Sequence, residues 1–120
     1  MTDLQQVAER YIAVWNENDQ PARRKLIDEL WAEGGRYTDP LVDAQGREAI
    51  DATIGAAQAQ FPGLVFTLGP VDAHHHLARF TWDLGPAGGE ALVVGFDVVA
   101  VDEDGRLTSV LGFLDKVPAA

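Results

Sequence analysis

The sequence predicts a single α+β domain in which three helices come first and an antiparallel sheet follows. Apolar residues recur at helical spacing as far as Phe61. Beyond Pro62-Gly63 the chain is rich in β-branched and aromatic residues, with stretches of period-2 alternation. Helices that precede strands in this way are typical of an α+β domain, and 120 residues fit one domain spanning residues 1–120.

The three helical segments have recognisable ends. The first covers residues 3–17. Asp19 is a suitable N-cap for the second, with Pro21 inside its first turn. We expect the second helix to carry Trp31 on its apolar face and to stop at Gly34-Gly35, because glycine readily adopts the positive φ that ends many helices. A turn over residues 43–46 then leads into a third helix over residues 47–60.

Four long strands are predicted after the helices, over residues 64–73, 77–84, 91–101 and 107–117. Such a sheet, strongly curved, can wrap around the helices and leave a conical pocket. The strand over 107–117 alternates in character, and its apolar outer face leads us to expect a homodimer through the outside of the sheet.

Composition excludes several classes of partner and site. The net charge is -10, from 19 acidic and 9 basic residues, and no basic stripe suggests nucleic acid or an anionic membrane as a partner. The absence of cysteine excludes disulfides and thiolate ligands. The N-terminus is polar, and no apolar run approaches the ~20 residues of a spanning helix. We expect a soluble cytoplasmic protein.

Asp39 is the first candidate for chemistry. Tyr37 and Asp39 lie on the same face of a short extended segment that ends at Pro40, so Asp39 points inward if Tyr37 does. An inward carboxylate can serve as a general base. The alternative is a turn residue that binds the backbone near Pro40.

Asp97 and Tyr11 are the second and third candidates. Asp97 is the one acid in the apolar run 93–99, so it is neutral, paired or outward. A neutral Asp97 can donate a hydrogen bond to a developing oxyanion, whereas a paired one has Arg79 as its partner. Tyr11 shares a helix face with Trp15, and its hydroxyl lies either in a pocket or in an ordinary core.

Three other groups of residues give weaker signals. We do not predict a metal site at His74-His75-His76, because adjacent strand residues point to opposite faces. No cofactor is expected, since the glycines of residues 85–89 lie between strands rather than before a helix. Arg79 alternates with Phe80 and Trp82, and we expect the aromatic side to face inward. The reverse orientation would put Arg79 inside as an anion clamp.

The order helix-helix-strand-helix, then four long strands, resembles the nuclear transport factor 2-like (NTF2-like) superfamily over essentially the whole chain. Within it, the sequence is similar to the SnoaL-like group and to bacterial ketosteroid isomerases. The matching segments are Arg10-Tyr11-Ile12-Ala13, Leu30-Trp31-Ala32, Thr38-Asp39-Pro40, Ala49-Ile50, and Phe96-Asp97 ten residues before Leu107. The resemblance implies a cone-shaped, cystatin-like fold.

The resemblance also implies roles for the three candidates. Ketosteroid isomerases use an Asp base with an oxyanion hole made of a Tyr and a protonated Asp. By position the base is Asp39, and Tyr11 and Asp97 hold the oxyanion. Ile54 stands where those enzymes have a supporting tyrosine, which leaves Tyr37 or Trp31 as possible replacements. We predict that an apolar ligand is bound by Trp15, Trp31, Tyr37, Ile54, Phe61, Phe80 and Trp82.

The resulting hypothesis is a cofactor-free isomerase or cyclase that transfers a proton next to a carbonyl. One alternative is a non-catalytic NTF2-like binding or assembly domain. Another is an epoxide hydrolase of the limonene-epoxide type, which needs an inward Asp–Arg–Asp set with Arg79. An open pocket with both acids inward favours the enzyme, whereas a cone filled by Trp15, Trp31 and Trp82 favours the binding domain.

Overall fold

A computed structural model of the protein describes residues 2–118. The elements in chain order are α1 (Leu4–Asn16), α2 (Gln20–Leu30), β1 (Trp31–Thr38), β2 (Asp43–Gln45), α3 (Arg47–Gln60), β3 (Val65–His74), β4 (Leu77–Gly85), β5 (Val93–Val101) and β6 (Leu107–Lys116). Within this part of the chain, no helix has both the length and the apolar character needed to cross a membrane.

The three helices pack on one six-stranded sheet, which confirms the predicted α+β class. The strand order is β2-β1-β6-β5-β4-β3. Neighbouring strands are antiparallel except β1 and β6, which run parallel. Register shifts interrupt the β1–β6, β3–β4 and β5–β6 pairings, and such irregularities increase the local twist and bend of a sheet.

The strands β4 and β5 present one face to the helices and one outward. In β4, Phe80, Trp82 and Leu84 are buried while the residues between them are exposed, as the alternation predicts. Arg79 belongs to the outer set: its side chain is 71% exposed and its Nε lies 3.5 Å from Asp72 Oδ2. The orientation with Arg79 inside is therefore wrong.

The second helix ends earlier than predicted. It begins as expected, with the Asp19 side chain accepting a hydrogen bond from Ala22 N (3.2 Å). However, it stops at Leu30, and Trp31 already belongs to β1. Gly35 lies inside that strand, where the Trp31 ring covers it so closely that an added Cβ would lie 2.8 Å from Cε3. The glycine serves the packing of Trp31 and does not end a helix.

The turn predicted over residues 43–46 is also different. Residues 43–45 form the short edge strand β2, which pairs with β1 through Tyr37 and Ala44. Gly46 then takes a φ of 91° and precedes α3, whose bounds match the predicted 47–60. The strand β2 is only three residues long and has the composition of a turn, so the sequence did not indicate a strand there.

Side-chain hydrogen bonds fix the ends of α1 and α2 against their neighbours. Asn16 exchanges two bonds with the backbone of Phe66, at 2.9 and 2.8 Å, and so attaches the end of α1 to the edge strand β3. Between α2 and α3, the buried Arg23 donates from Nε to Asp51 (2.6 Å) and from Nη1 to Gln58 (2.7 Å). Gln58 in turn donates to the carbonyl of Trp15 (3.0 Å).

Candidate functional site

A cavity of about 390 Å³ lies between α1, α3 and the inner face of the sheet. Both candidate acids line it, together with both tyrosines and two of the three tryptophans: Tyr11, Trp15, Tyr37, Asp39, Trp82 and Asp97. The rest of the lining is mostly aliphatic and aromatic. An apolar cavity with a few converging polar groups is the usual form of a small-molecule site.

The residues predicted to bind a ligand divide into two groups. Trp15, Tyr37, Phe61 and Trp82 line the cavity. Trp31, Ile54 and Phe80 are not among its lining residues, and each is almost completely buried.

Two of those buried residues support Tyr11 from behind. The ring centroids of Trp31 and Phe80 lie 6.3 and 5.6 Å from that of Tyr11. Trp31 is in β1 rather than on α2, which explains why it does not reach the cavity. The cone is thus not filled by the three tryptophans.

Asp39 combines the two roles that the sequence left open. Its Oδ1 accepts hydrogen bonds from the backbone N–H groups of Leu41 (2.8 Å) and Val42 (2.9 Å), which close the turn around Pro40. Its Oδ2 accepts from the Tyr37 hydroxyl at 2.6 Å. A carboxylate offers about four acceptor positions, so three are occupied and the remaining one is on Oδ2. That oxygen is therefore the atom of Asp39 that can receive a proton.

Tyr37 acts on Asp39 rather than on Tyr11. Its hydroxyl donates the short bond to Oδ2, and burial together with this bond raises the pKa of Tyr37 far above its usual range. The hydroxyl therefore stays protonated and remains a donor. The possibility that Tyr37 replaces a supporting tyrosine behind Tyr11 is not realised in this arrangement.

Asp97 is buried on the inner face of β5, at 3% exposure, and has no arginine partner among the described residues. Burial raises the pKa of Asp97 to about 7. The N–H of Trp82 and the hydroxyl of Tyr11 oppose this rise, and the negative charge of Asp39 adds to it. Asp97 is therefore about half protonated at pH 7 and largely protonated below it, and the protonated form has a proton to donate.

Tyr11 completes the group from α1. Burial raises the pKa of Tyr11 well above its usual value, and the charge of Asp97 raises it further. A hydroxyl that keeps its proton is a donor at all ordinary pH values. Tyr11 and Asp97 thus form a pair of neutral donors on one wall of the cavity.

Gly112 makes the approach of the two acids possible. It lies opposite Asp97 in the β5–β6 pairing. A Cβ at this glycine would lie 2.7 Å from Asp97 Oδ1 and 3.5 Å from Asp39 Cβ. The two acids therefore flank one point on β6, with no side chain between them.

Some cavity residues were not singled out from the sequence. Phe66 lines the wall between Trp15 and Trp82, and Leu41 lies at the surface end of the cavity with 79% exposure. Gly112, beside the two acids, was also not singled out. It is an isolated glycine inside a predicted strand, and such a glycine often marks a close approach of other groups to the backbone. Nothing in the local pattern marks Leu41, because its position depends on the turn that Asp39 closes.

The remaining candidates lie away from the cavity. His74, His75 and His76 are exposed at the β3–β4 turn, where His75 has a φ of 52°. Across residues 2–118, no cluster of three or more His, Asp or Glu side chains could hold a metal ion. Arg79 faces outward and the buried Arg23 does not line the cavity, so the inward Asp–Arg–Asp set of the epoxide hydrolase alternative is not formed.

Comparison with known proteins gives the family. Residues 8–110 match the SnoaL-like domain. A crystal structure of a proposed isomerase of the SnoaL-like family from Agrobacterium tumefaciens is 43% identical, with a TM-score of 0.88, covering 92% of this chain and 96% of that one. No curated protein matches the chain.

Two more distant crystal structures share the fold alone. A proposed SnoaL-like polyketide cyclase from Jannaschia sp. CCS1 is 17% identical, with a TM-score of 0.72 and coverage of 92% of this chain and 86% of that one. A proposed ketosteroid isomerase from Kribbella flavida is 20% identical, with a TM-score of 0.70 and coverage of 96% and 79%. The match over residues 8–110 and the 43% identity to the Agrobacterium protein show that this chain belongs to the SnoaL-like family.

Proposed function

We propose that the protein is a cofactor-free isomerase or cyclase that removes a proton next to a carbonyl group of a largely apolar ligand. The observation that carries this proposal is the position of Asp39 and Asp97 on one cavity, on either side of Gly112. The two carboxyls have different surroundings, which suits an ionised base and a neutral donor. The name of the 43% identical Agrobacterium protein, a proposed isomerase, agrees with this chemistry.

Asp39 is the base in this mechanism. Its Oδ2 removes the proton from the carbon next to the carbonyl, and the electron pair of the broken C–H bond moves onto the carbonyl oxygen to form an enolate. The bonds from Leu41, Val42 and Tyr37 hold the carboxylate in one orientation. An isomerase returns the proton to another carbon, whereas in a cyclase the enolate carbon attacks a second carbonyl of the same molecule.

Tyr11 and Asp97 stabilise the enolate oxygen. Tyr11 keeps its proton at neutral pH, Asp97 keeps its proton below pH 7, and both line the same cavity as Asp39. Hydrogen bonds aimed at a developing negative charge in an apolar site lower the barrier, and one such donor typically contributes about 3 kcal/mol. The apolar lining strengthens this effect because it excludes water.

Deuterium exchange tests the proposal without knowledge of the natural substrate. A bicyclic ketone such as 2-indanone is dissolved in D₂O with the protein, and loss of its α-proton signal is followed by NMR. We expect exchange above the buffer rate with the wild type. Asp39→Asn should abolish it, since an amide cannot accept the proton. Tyr11→Phe and Asp97→Ala should slow it by about 10²–10³, and Asp97→Asn by much less.

Asp72→Asn is the matched control, because Asp72 is an exposed carboxylate on the outside of the sheet. It should exchange like the wild type. Exchange that survives in Asp39→Asn would overturn the assignment of the base. Binding of 2-indanone without exchange in the wild type would overturn the enzymatic proposal and favour the non-catalytic binding domain.

A further inference from the structure

The lining of the cavity contains acidic groups and no basic one. Asp39 and Asp97 line it, whereas no lysine, arginine or histidine among residues 2–118 does. The hydrogen bonds that Asp39 accepts come from neutral donors, namely the backbone N–H groups of Leu41 and Val42 and the hydroxyl of Tyr37. The ion pairs within this part of the chain all involve other acids. The fold therefore supplies no cation to balance the charge of Asp39.

The basic side chains closest to the cavity in sequence or in space are engaged elsewhere. Arg23 is held between α2 and α3 by its buried ion pair. Lys116 precedes the lining residue Val117, but its Nζ donates to the carbonyl of Ala91 at 2.9 Å and lies 3.7 Å from Glu90. A positive group on a ligand would thus meet no like charge in the lining. The net charge of -10 also favours the approach of a cation over that of an anion.

Four aromatic rings follow one another along the cavity wall, in the order Tyr37, Trp15, Phe66 and Trp82. Successive ring centroids lie 5.5, 5.3 and 5.6 Å apart, and successive ring planes are inclined at 50°, 59° and 61°. Rings inclined to one another in this way form a curved wall. The face of an aromatic ring carries partial negative charge and attracts a cation. We call these four residues the aromatic wall.

The shortage of free acceptors in the cavity selects the kind of cation. A primary ammonium group carries three N–H donors, and each loses its bond to water in an apolar cavity. Oδ2 of Asp39 has one acceptor position left, and most of the remaining lining is aliphatic or aromatic. An N-alkylated ammonium group has one N–H or none, and its alkyl groups can contact the rings. The cavity therefore suits a tertiary or quaternary ammonium group.

We propose that the ligand of this cavity carries an N-alkylated ammonium group, which the aromatic wall contacts through its ring faces and the charge of Asp39 attracts. This inference rests on the proposed function in taking the cavity as the ligand site. Combined with that function, it gives an amino ketone as the substrate class. The ketone oxygen lies at Tyr11 and Asp97, and the ammonium group lies against the rings. An ammonium group near the carbonyl also makes the neighbouring C–H bond more acidic, which aids proton removal by Asp39.

Two probes of the same shape test the role of the positive charge: phenyltrimethylammonium and its neutral isostere tert-butylbenzene. Binding of each is followed through the fluorescence of the cavity tryptophans Trp15 and Trp82 at pH 7 and 0.15 M salt. We expect the wild type to bind the cation about 10-fold more tightly than the hydrocarbon. Equal or tighter binding of tert-butylbenzene would overturn the proposal.

The ratio of the two affinities then tests the carboxylate, because any loss of packing common to both probes cancels. Asp39→Asn removes the charge and keeps the shape of the side chain, so it should lower the ratio about 5-fold or more. Asp72→Asn is the matched control, since it makes the same change in net charge on the outside of the sheet. It should leave the ratio within about 2-fold of wild type. Equal effects of the two substitutions would show that only the overall charge matters and would overturn the proposal.

The ring faces are tested with the same ratio. Phe66→Leu replaces a ring of the aromatic wall by an aliphatic side chain and should lower the ratio about 3-fold or more. Phe113→Leu is the matched control, because Phe113 is an exposed ring outside the cavity, and it should not change the ratio. A ratio that stays at the wild-type value in Phe66→Leu would contradict contact between the rings and the cation.

The outcome is separable from that of the proposed function, since the binding measurements need no turnover and 2-indanone is uncharged. A preference for the cation without ketone exchange would reject the proton-transfer mechanism alone. Ketone exchange without a preference for the cation would reject the ammonium ligand alone.

Discussion

At the scale of single residues, the site depends on two carboxyl groups that the fold treats differently. Asp39 receives three hydrogen bonds at the cavity wall, and these hold its carboxyl group in one orientation. Asp97 lies in the most apolar strand, where burial favours the neutral acid. The pairing of a fixed carboxylate with a neutral acid arises from their surroundings, because the side chains themselves are identical.

Asp97 should make the stability of the protein depend on pH in a defined direction. Its folded pKa of about 7 exceeds the unfolded value of about 3.9, so the folded state binds the proton more tightly. The resulting stabilisation is complete below pH 4 and is lost as the pH rises toward 7. Relative to wild type, Asp97→Asn should therefore gain about 2–4 kcal/mol in unfolding free energy between pH 4 and pH 8.

Urea unfolding at a series of pH values measures this difference. Asp83→Asn is the matched control, because Asp83 lies on the exposed face of β4. Its stability relative to wild type should stay nearly constant with pH. A difference between Asp97→Asn and wild type that does not vary from pH 4 to pH 8 would contradict a raised pKa for Asp97.

Gly112 should be essential to the site but not to the fold. In Gly112→Ala the new Cβ meets Asp97 Oδ1 at 2.7 Å and Asp39 Cβ at 3.5 Å, so the Asp97 carboxyl must rotate away. We expect cooperative unfolding to persist and exchange of the 2-indanone α-protons to slow about 10-fold or more, followed by NMR. Gly34→Ala is the control, since no atom lies within 4 Å of its Cβ position. An unchanged exchange rate in Gly112→Ala would show that the acids do not need this gap.

Sequence reasoning picked out three polar residues that line the cavity, but it did not anticipate the residues around them. Asp39, Tyr11 and Asp97 are unusual in their local patterns, which is why they stood out before any coordinates. The contacts of Gly112 with both acids, and the position of Trp82 over Gly95, depend on register between strands. The local patterns of a single sequence do not reveal which residues of two strands lie opposite each other.

At the scale of elements, the buried ion pair between α2 and α3 was not anticipated. Arg23 and Asp51 are both buried, and Arg23 donates to Oδ1 of Asp51. Gln20 donates a second hydrogen bond to Oδ2 of the same carboxylate, at 2.7 Å. Arg23 is followed directly by the charged residues Arg24 and Lys25, so the sequence gives no sign that Arg23 alone points inward. The same limit explains the early end of α2, where the packing of Trp31 on Gly35 outweighs the helical spacing.

Removing one partner of this pair should destabilise the fold strongly. Arg23→Met leaves the Asp51 carboxylate buried and unpaired, so we expect a loss on the order of 3 kcal/mol in unfolding free energy at pH 7. Arg24→Met is the matched control: Arg24 forms a pair of similar length with Asp28, but on the exposed surface, so little should change. Equal effects of the two substitutions would show that burial does not matter here.

The pair should also fail in acid. Burial by itself raises the pKa of Asp51, but the hydrogen bonds from Arg23 and Gln20 and the charge of Arg23 together lower it. The stabilisation is therefore present above the unfolded pKa of about 4 and is lost as the pH falls below it. The loss caused by Arg23→Met should shrink between pH 5 and pH 2 in urea titrations. A loss independent of pH would mean that packing of the Arg23 chain, rather than its charge, is responsible.

At the scale of the whole molecule, the outer face of the sheet carries an apolar patch on β5 and β6. Phe96 and Phe113 stack with centroids 5.0 Å apart and planes at 12°. Phe113 is 53% exposed, and Leu111 on the same strand is 45% exposed. Continuous apolar surface of this kind usually marks a contact with another molecule.

We predict a homodimer through this patch. Each chain carries a net charge of -10, so two copies repel one another and the dimer should tighten when salt screens that repulsion. Analytical ultracentrifugation at 0.15 M salt should show twice the 13.0 kDa mass. Phe113→Asp should give monomers, whereas Gln6→Glu, which adds the same charge on the exposed side of α1, should not. A wild type that stays monomeric at micromolar concentration in high salt would contradict the dimer and leave the patch for a different partner.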